Sequence, residues 1–327
     1  MHHAGAHIMH IVITGAAGYI GHALTRWLCT QSYFAGQPIT RLSRTDLALQ
    51  PIEHAPAFLR DVEGDLCQAS VREQLLAEPA DYVFHLAGIT SKRAEENLCL
   101  SLEVNLQASM ALLENLRHQT HKATVVFTSS IGVFGTPLPN HIDDQTPIQP
   151  TLSYGTHKRM VELLIADYSR LGHIDGRSVR LPGIIARPLQ AIAALSSFSS
   201  DVVQHMAAGT AYTCPVSSDA ANWLISLPCC LEQLLHAAVS PASAWPTSRV
   251  VTLPALRVLT GELVHGLAQR YGADRTDLVS WQPNADIEAQ FGRWPTLDTT
   301  LANQLGFTHD HTIENLIHRA LLTTPSA

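Results

Sequence analysis

Short apolar segments alternate with amphipathic ones through the first half of this chain, and this alternation constrains its fold most strongly. The apolar segments are rich in β-branched residues and have the length of buried strands, whereas the segments between them carry helical spacing. Predicted strands lie at 9–14, 39–42, 81–88, 123–130 and 177–182, and predicted helices lie near 19–30, 95–118 and 154–171. The pattern predicts a doubly wound α/β domain, with a parallel sheet covered by helices on both faces.

The alternation stops after Pro182, where small residues, prolines and tryptophans become frequent. We predict a main domain over residues 9–182 and a smaller, irregular α/β lobe, mainly over 183–327, that binds substrate. The apolar segment at 249–254 suits a strand that returns to the main sheet, so we expect the two parts to be interleaved. Residues 1–8, MHHAGAHI, contain three histidines without a fixed ligand geometry, and we predict a disordered leader there.

Composition excludes several classes of protein. The chain has 327 residues, 46% of them hydrophobic and 15% charged, with a formal net charge of -7 and no cluster of lysine and arginine that would suit nucleic acid. It has no apolar run of roughly 18 to 20 residues and no secretory signal. Its six cysteines form no C-x-x-C pair, which argues against a zinc site and against a disulfide framework. We therefore predict a cytoplasmic protein without a metal ion, a membrane span or a nucleic-acid partner.

A glycine-rich turn follows the first predicted strand. In ITGAAGYIG, Gly15, Gly18 and Gly21 stand between that strand and the helix after it, and Tyr19 and Ile20 begin the helix. Glycines let the backbone approach a pyrophosphate, and a helix N-terminus offers free N–H groups and partial positive charge. The turn predicts the dinucleotide site of a Rossmann domain, and a plain strand-to-helix turn packed with glycines is the alternative.

Other predicted cofactor contacts lie at later strand ends. Asp65 and Leu66 of GDL are placed to contact an adenine ring, although an ordinary turn would also explain them. Ala87 and Gly88 of HLAG are small enough to leave room for a cofactor at the carboxyl edge of the sheet. Pro182, which ends RSVRLP, is included as a further contact.

The second strand bears on the choice between NAD and NADP. A carboxylate at the end of this strand binds the adenosine ribose of NAD. The sequence ITRLSRTD places Ser43 at the expected strand end, followed by Arg44, and this pair suits a 2′-phosphate better. We therefore expect NAD, with NADP at least tolerated, while Asp46 reaches the ribose if the loop bends back.

These motifs, followed by TSSIGVFG and SYGTHK, occur in an order that resembles the extended short-chain dehydrogenase/reductase family, in its epimerase/dehydratase-like branch. The resemblance spans nearly the whole chain from Met9. It implies that Ser130, Tyr154 and Lys158 are catalytic, that Lys158 also binds the nicotinamide ribose, and that the long helices near 95–118 and 154–171 form a homodimer.

The spacing of these residues suits a proton transfer. Tyr154 and Lys158 lie one helical turn apart, so their side chains share a face. A free phenol has a pKa near 10, and the Lys158 ammonium would stabilise the phenolate so that Tyr154 can act as a base. Ser130, rather than Ser129, is predicted to hold the substrate oxygen.

Several later segments resemble the D-erythronate dehydrogenase group of this family, which implies oxidation of the C2 hydroxyl of a small sugar acid to a 2-keto acid. Such a substrate requires hydroxyl-rich walls and one cation. A nucleotide-sugar epimerase or reductase and a non-catalytic NAD(P)-sensing protein are the alternatives. Besides Ser130 and Tyr154, the predicted substrate contacts are Thr90, Ser91, Arg187, Ser196, Ser197, Ser199 and Trp223.

Overall fold

The computed structural model describes residues 9–189 and 196–322, and the predicted leader at 1–8 lies outside the described residues. The strands are β1 His10–Thr14, β2 Tyr33–Phe34, β3 Gln37–Pro38, β4 Arg41–Asp46, β5 Leu59–Glu63, β6 Tyr82–His85, β7 Thr124–Ser130, β8 His141–Ile142, β9 Asp175–Leu181, β10 Gly183–Ile184, β11 Tyr212–Cys214, β12 Ala221–Ile225, β13 Val250–Thr252, β14 Leu256–Leu259, β15 Val279–Trp281 and β16 Thr296–Leu297. The α-helices are α1 Tyr19–Gln31, α2 Ala69–Leu75, α3 Ser91–Glu96, α4 Leu98–Ser101, α5 Ala108–Arg117, α6 Ser153–Arg170, α7 Phe198–Ala208, α8 Leu227–Val239, α9 Thr260–Tyr271, α10 Ala285–Phe291, α11 Thr300–Gln304 and α12 Ile313–Leu321.

A seven-stranded parallel sheet forms the centre of the molecule. Its strand order is β13-β9-β7-β6-β1-β4-β5, and every neighbouring pair is parallel. All five residues of β1 are buried, as expected for a strand covered on both faces. The order reverses beside β1, so the carboxyl ends of β1 and β6 border a crevice in which ligands of such sheets bind.

Helices cover both faces of this sheet. On one face, Leu24 and Leu28 of α1 join Leu231 and Leu234 of α8 in one apolar core. The other face is covered by α2, α5 and α6, whose buried apolar residues form a second core. The doubly wound architecture predicted from the sequence is confirmed.

The segment after Pro182 divides between the sheet and a separate lobe. The lobe contains the three-stranded sheet β10-β12-β14 and the helices α7, α9 and α12, which share a third core. The helix α8 packs on the main sheet, and β13 pairs with β9 as an added strand.

The long helix predicted near 95–118 is interrupted. The chain forms α3, α4 and a π-helical segment at Leu102–Gln107 before α5 begins at Ala108. A π-helical segment inserts one residue per turn and commonly marks a functional site.

Two of the predictions made from composition were that the protein has no membrane span and no metal site. No helix within 9–189 and 196–322 has the length and apolar character that crossing a bilayer requires. In the same ranges, no three His, Cys, Asp or Glu side chains group as metal ligands.

Candidate active site

The glycine-rich turn joins β1 to α1 at the carboxyl edge of the main sheet. Gly15 adopts φ +72°, and a β-carbon on it would lie 2.6 Å from the Ala87 nitrogen, so a larger residue does not fit. Gly18 caps α1 in an extended conformation, and a β-carbon on Gly21 would lie 2.2 Å from the Gly15 carbonyl oxygen. The first turn of α1 contains no acidic residue that would repel a phosphate. This cradle therefore fits a dinucleotide pyrophosphate.

The prediction for the end of the second strand is wrong. The strand β4 continues to Asp46, so Ser43 and Arg44 lie within it and not at its end. Ser43 is buried, with its Oγ 2.9 Å from His10 Nε2. Arg44 is only 1% exposed and donates from Nε and Nη2 to the Asp61 carboxylate at 2.7 and 2.8 Å. Neither side chain reaches the edge of the sheet at which a cofactor would bind.

Asp46 is the residue that lies at this edge. Its Oδ2 accepts a hydrogen bond from the Ala17 N–H in the glycine-rich turn at 2.9 Å, and its Oδ1 accepts from the Leu47 N–H at 2.8 Å. The carboxylate lies beside the turn, where the adenosine ribose of a bound dinucleotide would present its hydroxyls. A 2′-phosphate would meet a like charge there, so this arrangement fits NAD better than NADP.

The remaining predicted cofactor residues lie at neighbouring strand ends. Asp65 follows β5, and its Oδ1 accepts from the Cys67 N–H at 2.9 Å in the turn before α2, with Leu66 buried. Ala87 and Gly88 follow β6. Pro182 is buried between β9 and β10, and Ile20 packs against the core under α1. Cofactor contacts by these residues stay predictions.

The strand β7 ends in two serines whose side chains face opposite sides of the sheet, as successive strand residues do. Ser129 is buried and donates to the fully buried Glu162 carboxylate at 2.5 Å. The Oγ of Ser130 accepts from the Gly132 N–H at 3.0 Å, and a β-carbon on Gly132 would lie 3.4 Å from this Oγ and 3.7 Å from Cδ1 of the Tyr154 ring. Ser130 is therefore the serine that faces the phenol.

Close packing at the start of α6 holds Tyr154 near Ser130. A β-carbon on Gly155 would lie 2.3 Å from the Gly132 carbonyl oxygen, so glycine lets the helix approach the turn after β7. Burial raises the pKa of the Tyr154 phenol, while the hydrogen bond with Ser130 and the positive charge of Arg187 oppose that rise. The sequence predicted that Lys158 would supply this positive charge, whereas in the structure the charge that lowers the pKa of the phenol is that of Arg187.

Lys158 lies one turn further along α6 and is buried. Its Nζ donates to the Thr128 carbonyl oxygen at 2.7 Å and lies 5.8 Å from the centre of the Tyr154 ring. Burial lowers the pKa of Lys158 to about 8, and the negative charge of Glu162 opposes this change. A β-carbon on Gly88 would lie 3.5 Å from Nζ, so the ammonium faces the segment that follows β6.

Sequence reasoning missed Asn105, which lies in the π-helical segment. Its Oδ1 accepts from the Ile89 N–H at 2.8 Å and its Nδ2 donates to the Ile89 carbonyl oxygen at 3.1 Å, which fixes the segment after Gly88. Thr90 and Ser91 follow on this segment, Thr90 exposed and Ser91 buried at the start of α3. The available signal was an asparagine inside a predicted helix, where its side chain competes with the regular backbone bonds.

Arg187 follows β10 in the chain and comes directly after Ala186. Its Nε is buried and has no hydrogen-bond partner among the described residues. The charge of its guanidinium lowers the pKa of the Tyr154 phenol and that of the Asp201 carboxyl, in both cases against the effect of burial. Buried donors in proteins are almost always paired, and a guanidinium pairs most strongly with a carboxylate or phosphate. Arg187 therefore fits an anionic group of a ligand.

The prediction that Trp223 contacts the substrate is wrong. Its side chain is fully buried, and its Nε1 donates to the Pro295 carbonyl oxygen at 2.7 Å. Its ring packs 4.7 Å from that of Trp294 and edge-on against Phe134. Trp223 belongs to the apolar core between the lobe and the turn after β7.

The serines before and within α7 differ in their environments. Ser196 is exposed in the turn before the helix. Ser197 donates to the Asp201 carboxylate at 2.7 Å, and the buried Ser199 accepts from Asn222 Nδ2 at 3.4 Å. The structure gives Ser197 and Ser199 partners within the fold, and substrate contacts by Ser196, Ser197 and Ser199 stay predictions.

Comparison with known proteins identifies relatives of nearly the same length. The model of the NAD dependent epimerase/dehydratase family matches residues 11–223. The D-erythronate dehydrogenase of Cupriavidus necator is 37% identical over 314 residues, which cover 94% of this chain and 97% of that protein. The D-erythronate dehydrogenase of Haemophilus influenzae is 33% identical over 312 residues, with 95% and 98% covered.

Solved structures agree with the fold. The crystal structure described as a nucleoside-diphosphate-sugar epimerase from Agrobacterium tumefaciens superposes with a TM-score of 0.90 at 31% identity, and 98% of each chain is covered. The L-threonine dehydrogenase of Phytophthora infestans superposes with a TM-score of 0.80 at 23% identity, with 96% of this chain and 98% of that one covered. The second likeness concerns the fold alone.

Proposed function

The chain belongs to the NAD dependent epimerase/dehydratase family, and from this premise we propose that it oxidises the C2 hydroxyl of D-erythronate to the 2-keto acid with NAD. The observation that carries the proposal is the position of the Tyr154 ring beside Ser130 at Gly132, together with the buried Arg187 Nε, which has no hydrogen-bond partner among the described residues. The two relatives named D-erythronate dehydrogenase support the choice of substrate.

Each residue acts on a stated atom of the substrate. Arg187 binds the C1 carboxylate, which places the adjacent C2 hydroxyl beside Tyr154. Ser130 donates a hydrogen bond to the C2 oxygen, and Tyr154 removes the proton of the C2 hydroxyl onto its own oxygen. The glycine-rich turn would hold NAD, and the chemistry that NAD would supply there is acceptance of the C2 hydride as the C2 carbonyl forms. Lys158 holds positive charge next to the phenolate and binds the nicotinamide ribose.

Arg187 also explains why an acid suits this site. Its charge lowers the pKa of the Tyr154 phenol against the effect of burial. A bound carboxylate reduces that effect by pairing with the guanidinium, but it holds the C2 hydroxyl within reach of the phenol. Orientation of this kind contributes more to the rate than a modest shift in the pKa of the base.

Tyr154→Phe tests the assignment of the base. We expect wild-type protein to reduce NAD in the presence of D-erythronate, measured by the absorbance of the reduced nicotinamide. The variant should lose about 10³-fold in kcat, because general-base catalysis contributes about 10² to 10⁴. Its Kd for NAD, measured by calorimetry, should stay within about twofold, since the glycine-rich turn is unchanged.

Tyr168→Phe is the matched control for this experiment. Tyr168 lies on the same helix, and its hydroxyl donates to the Glu114 carboxylate at 2.9 Å, away from the site. This variant should keep kcat within about twofold of wild type, because it removes no group that contacts the substrate. A Tyr154→Phe enzyme that retained wild-type kcat would refute the role of the phenol.

A nucleotide-sugar epimerase or reductase is the second candidate, favoured by the description of the Agrobacterium tumefaciens structure. Such a substrate needs cations for two phosphates, yet residues 183–327 are poor in them, with seven arginines and no lysine. Conversion of a UDP-sugar, without reduction of NAD by D-erythronate, would favour this candidate. Binding of NAD without turnover of either substrate class would instead favour a cofactor sensor.

We also propose that the protein is cytoplasmic and forms a homodimer. The helices α5 and α6 lie side by side and carry the exposed apolar side chains of Met110, Met160 and Leu163. Apolar patches of this kind commonly mark interfaces.

A further inference from the structure

We propose that Tyr19 and Gln204 are positioning residues that direct the Arg187 guanidinium into the substrate site. This inference rests on the proposed function, because it concerns how the residue that binds the carboxylate is held in place. It is supported by the strained backbone directly before Arg187, by four hydrogen bonds that two side chains donate to that backbone, and by the Arg187 Nε, which has no partner among the described residues.

The backbone before Arg187 is strained. Ala186 adopts φ +60°, in the left-handed region, and its side chain is fully buried. An L-residue with a β-carbon is disfavoured in this region, and a non-glycine residue persists there only when its surroundings hold it. The conformation sets the direction in which the chain leaves β10, and hence where the Arg187 side chain begins.

Two side chains donate hydrogen bonds to the backbone at the strained residue. The Ala186 carbonyl oxygen accepts from the Tyr19 hydroxyl at 3.2 Å and from Gln204 Nε2 at 2.9 Å. Tyr19 also donates to the Ile185 carbonyl oxygen at 3.3 Å, and Gln204 also donates to the Arg187 carbonyl oxygen at 3.2 Å. Three consecutive carbonyl groups are therefore held by two side chains, which we call the backbone clamp.

The two members of the backbone clamp come from different parts of the molecule. Tyr19 begins α1, at the glycine-rich turn of the main domain, and Gln204 lies on α7 in the lobe. The clamp thus fixes Arg187 relative to both the dinucleotide cradle and the lobe. A buried carbonyl that loses its donor is left unsatisfied, which favours a different backbone conformation at Ala186.

The Arg187 side chain depends on this backbone for its direction. Its Nε is buried without a hydrogen-bond partner among the described residues, so no protein acceptor orients that end of the guanidinium group. Ser130, Tyr154 and Lys158 lie on β7 and α6, whereas the bonds of the clamp are made to the carbonyl groups of residues 185–187. Loss of the clamp should therefore weaken substrate binding more than it slows the chemical step.

The test uses Gln204→Ala, with the KM for D-erythronate, kcat and the Kd for NAD as separate measurements. We expect the KM to rise by about 5- to 20-fold, because a buried carbonyl loses one of its donors. The kcat should fall by a smaller factor than the KM rises, because Ser130 and Tyr154 keep their places, and the Kd for NAD should change by less than about twofold. Gln269→Ala is the matched control, since it removes the same amide from an exposed position on α9, and its KM should equal that of wild type.

A double-mutant cycle separates this inference from the proposed function. Arg187→Met should raise the KM by about 100-fold, because a charge-assisted pair with the carboxylate is lost. If Gln204 acts through Arg187, adding Gln204→Ala to Arg187→Met should change the KM no further. Additive effects of the two changes, or an unchanged KM in Gln204→Ala, would overturn the inference while leaving Arg187 as the carboxylate partner. An unchanged KM in Arg187→Met would contradict the proposed function itself.

A crystal structure of the Tyr19→Phe/Gln204→Ala variant provides a readout that does not depend on turnover. We expect Ala186 to leave the left-handed region and the Arg187 guanidinium to move from the Tyr154 phenol. A structure that retained both would show that the clamp is not needed for this conformation and would overturn the inference.

Discussion

At the scale of single residues, cofactor selectivity depends on one carboxylate at the end of β4. Asp46 is fixed by the N–H groups of Ala17 and Leu47, so its charge stays beside the glycine-rich turn. Asp46→Ser should lower kcat/KM for NAD by about 10- to 100-fold, because the hydrogen bonds from the ribose hydroxyls to a charged carboxylate are lost. The kcat/KM for NADP should fall less or rise, because the repulsion of a 2′-phosphate is removed.

Asp61→Asn is the control for this prediction. It removes the charge that pairs with the buried Arg44 and lies in the next strand of the sheet. The ratio of the kcat/KM values for NAD and NADP should stay within about twofold of wild type, because Arg44 is too buried to contact a cofactor. A higher kcat/KM for NADP in this variant would instead support the prediction that Arg44 binds the 2′-phosphate.

Local sequence patterns predicted some of these residues and missed others for a physical reason. The glycines of ITGAAGYIG, and the spacing of Tyr154 and Lys158, act within one turn or one helix, so a short segment contains the relevant information. The end of β4 depends on pairing with β1 and β5, and the burial of Trp223 depends on contact with Trp294, distant in the chain. Contacts of this kind leave no mark on local spacing.

At the scale of elements, Glu162 connects α6 to the two strands beneath it. The carboxylate accepts from Ser129 on β7 and from Arg180 on β9, in addition to Arg159 on its own helix. Because Ser129 precedes Ser130 and Glu162 lies one turn after Lys158, this network fixes the position of the helix relative to the strand that carries Ser130. Its loss should therefore affect both stability and the geometry of the site.

Glu162→Gln should lower the free energy of unfolding by about 1.5 to 3 kcal/mol, because it removes the charge of a fully buried carboxylate that accepts from the partly exposed Arg159 and Arg180. Urea unfolding measures this change, and the m-value should stay constant. Asp167→Asn on the same helix is the control, because Asp167 is 51% exposed whereas Glu162 is 0% exposed. That substitution should cost less than about 1 kcal/mol. Equal effects of the two substitutions would show that the buried network does not connect the elements.

The interrupted helix near 95–118 shows where element prediction from sequence fails. Apolar spacing predicted one continuous helix, and the chain does remain helical from Leu98 to Arg117. The π-helical segment forms where the Asn105 side chain is hydrogen bonded to the backbone of Ile89, which precedes α3 and α4 in the chain. The backbone therefore changes its hydrogen-bond pattern for a tertiary contact that helix propensity does not contain.

At the scale of the whole molecule, the two parts of the chain were predictable to different degrees. The main domain follows from the alternation of strands and helices, because right-handed connections leave few ways to arrange such units. The lobe consists of short strands whose partners are distant in sequence, such as β12 with β10 and β14. Its outline was predicted from the loss of alternation, but its strand pairing and the clamp on Arg187 were not.

Association of two chains would bury the apolar surface of α5 and α6. Met160 and Leu163 are 42% and 54% exposed, and their spacing of three residues places them on one face of α6. Met160→Glu/Leu163→Glu should convert a dimer into a monomer, because a dimer interface does not accommodate two unpaired charges. Sedimentation velocity measures this change. Val239→Glu, at a residue 49% exposed on α8, should leave the dimer intact. A wild-type monomer at micromolar concentration, or a double variant that stays dimeric, would contradict an interface on these helices.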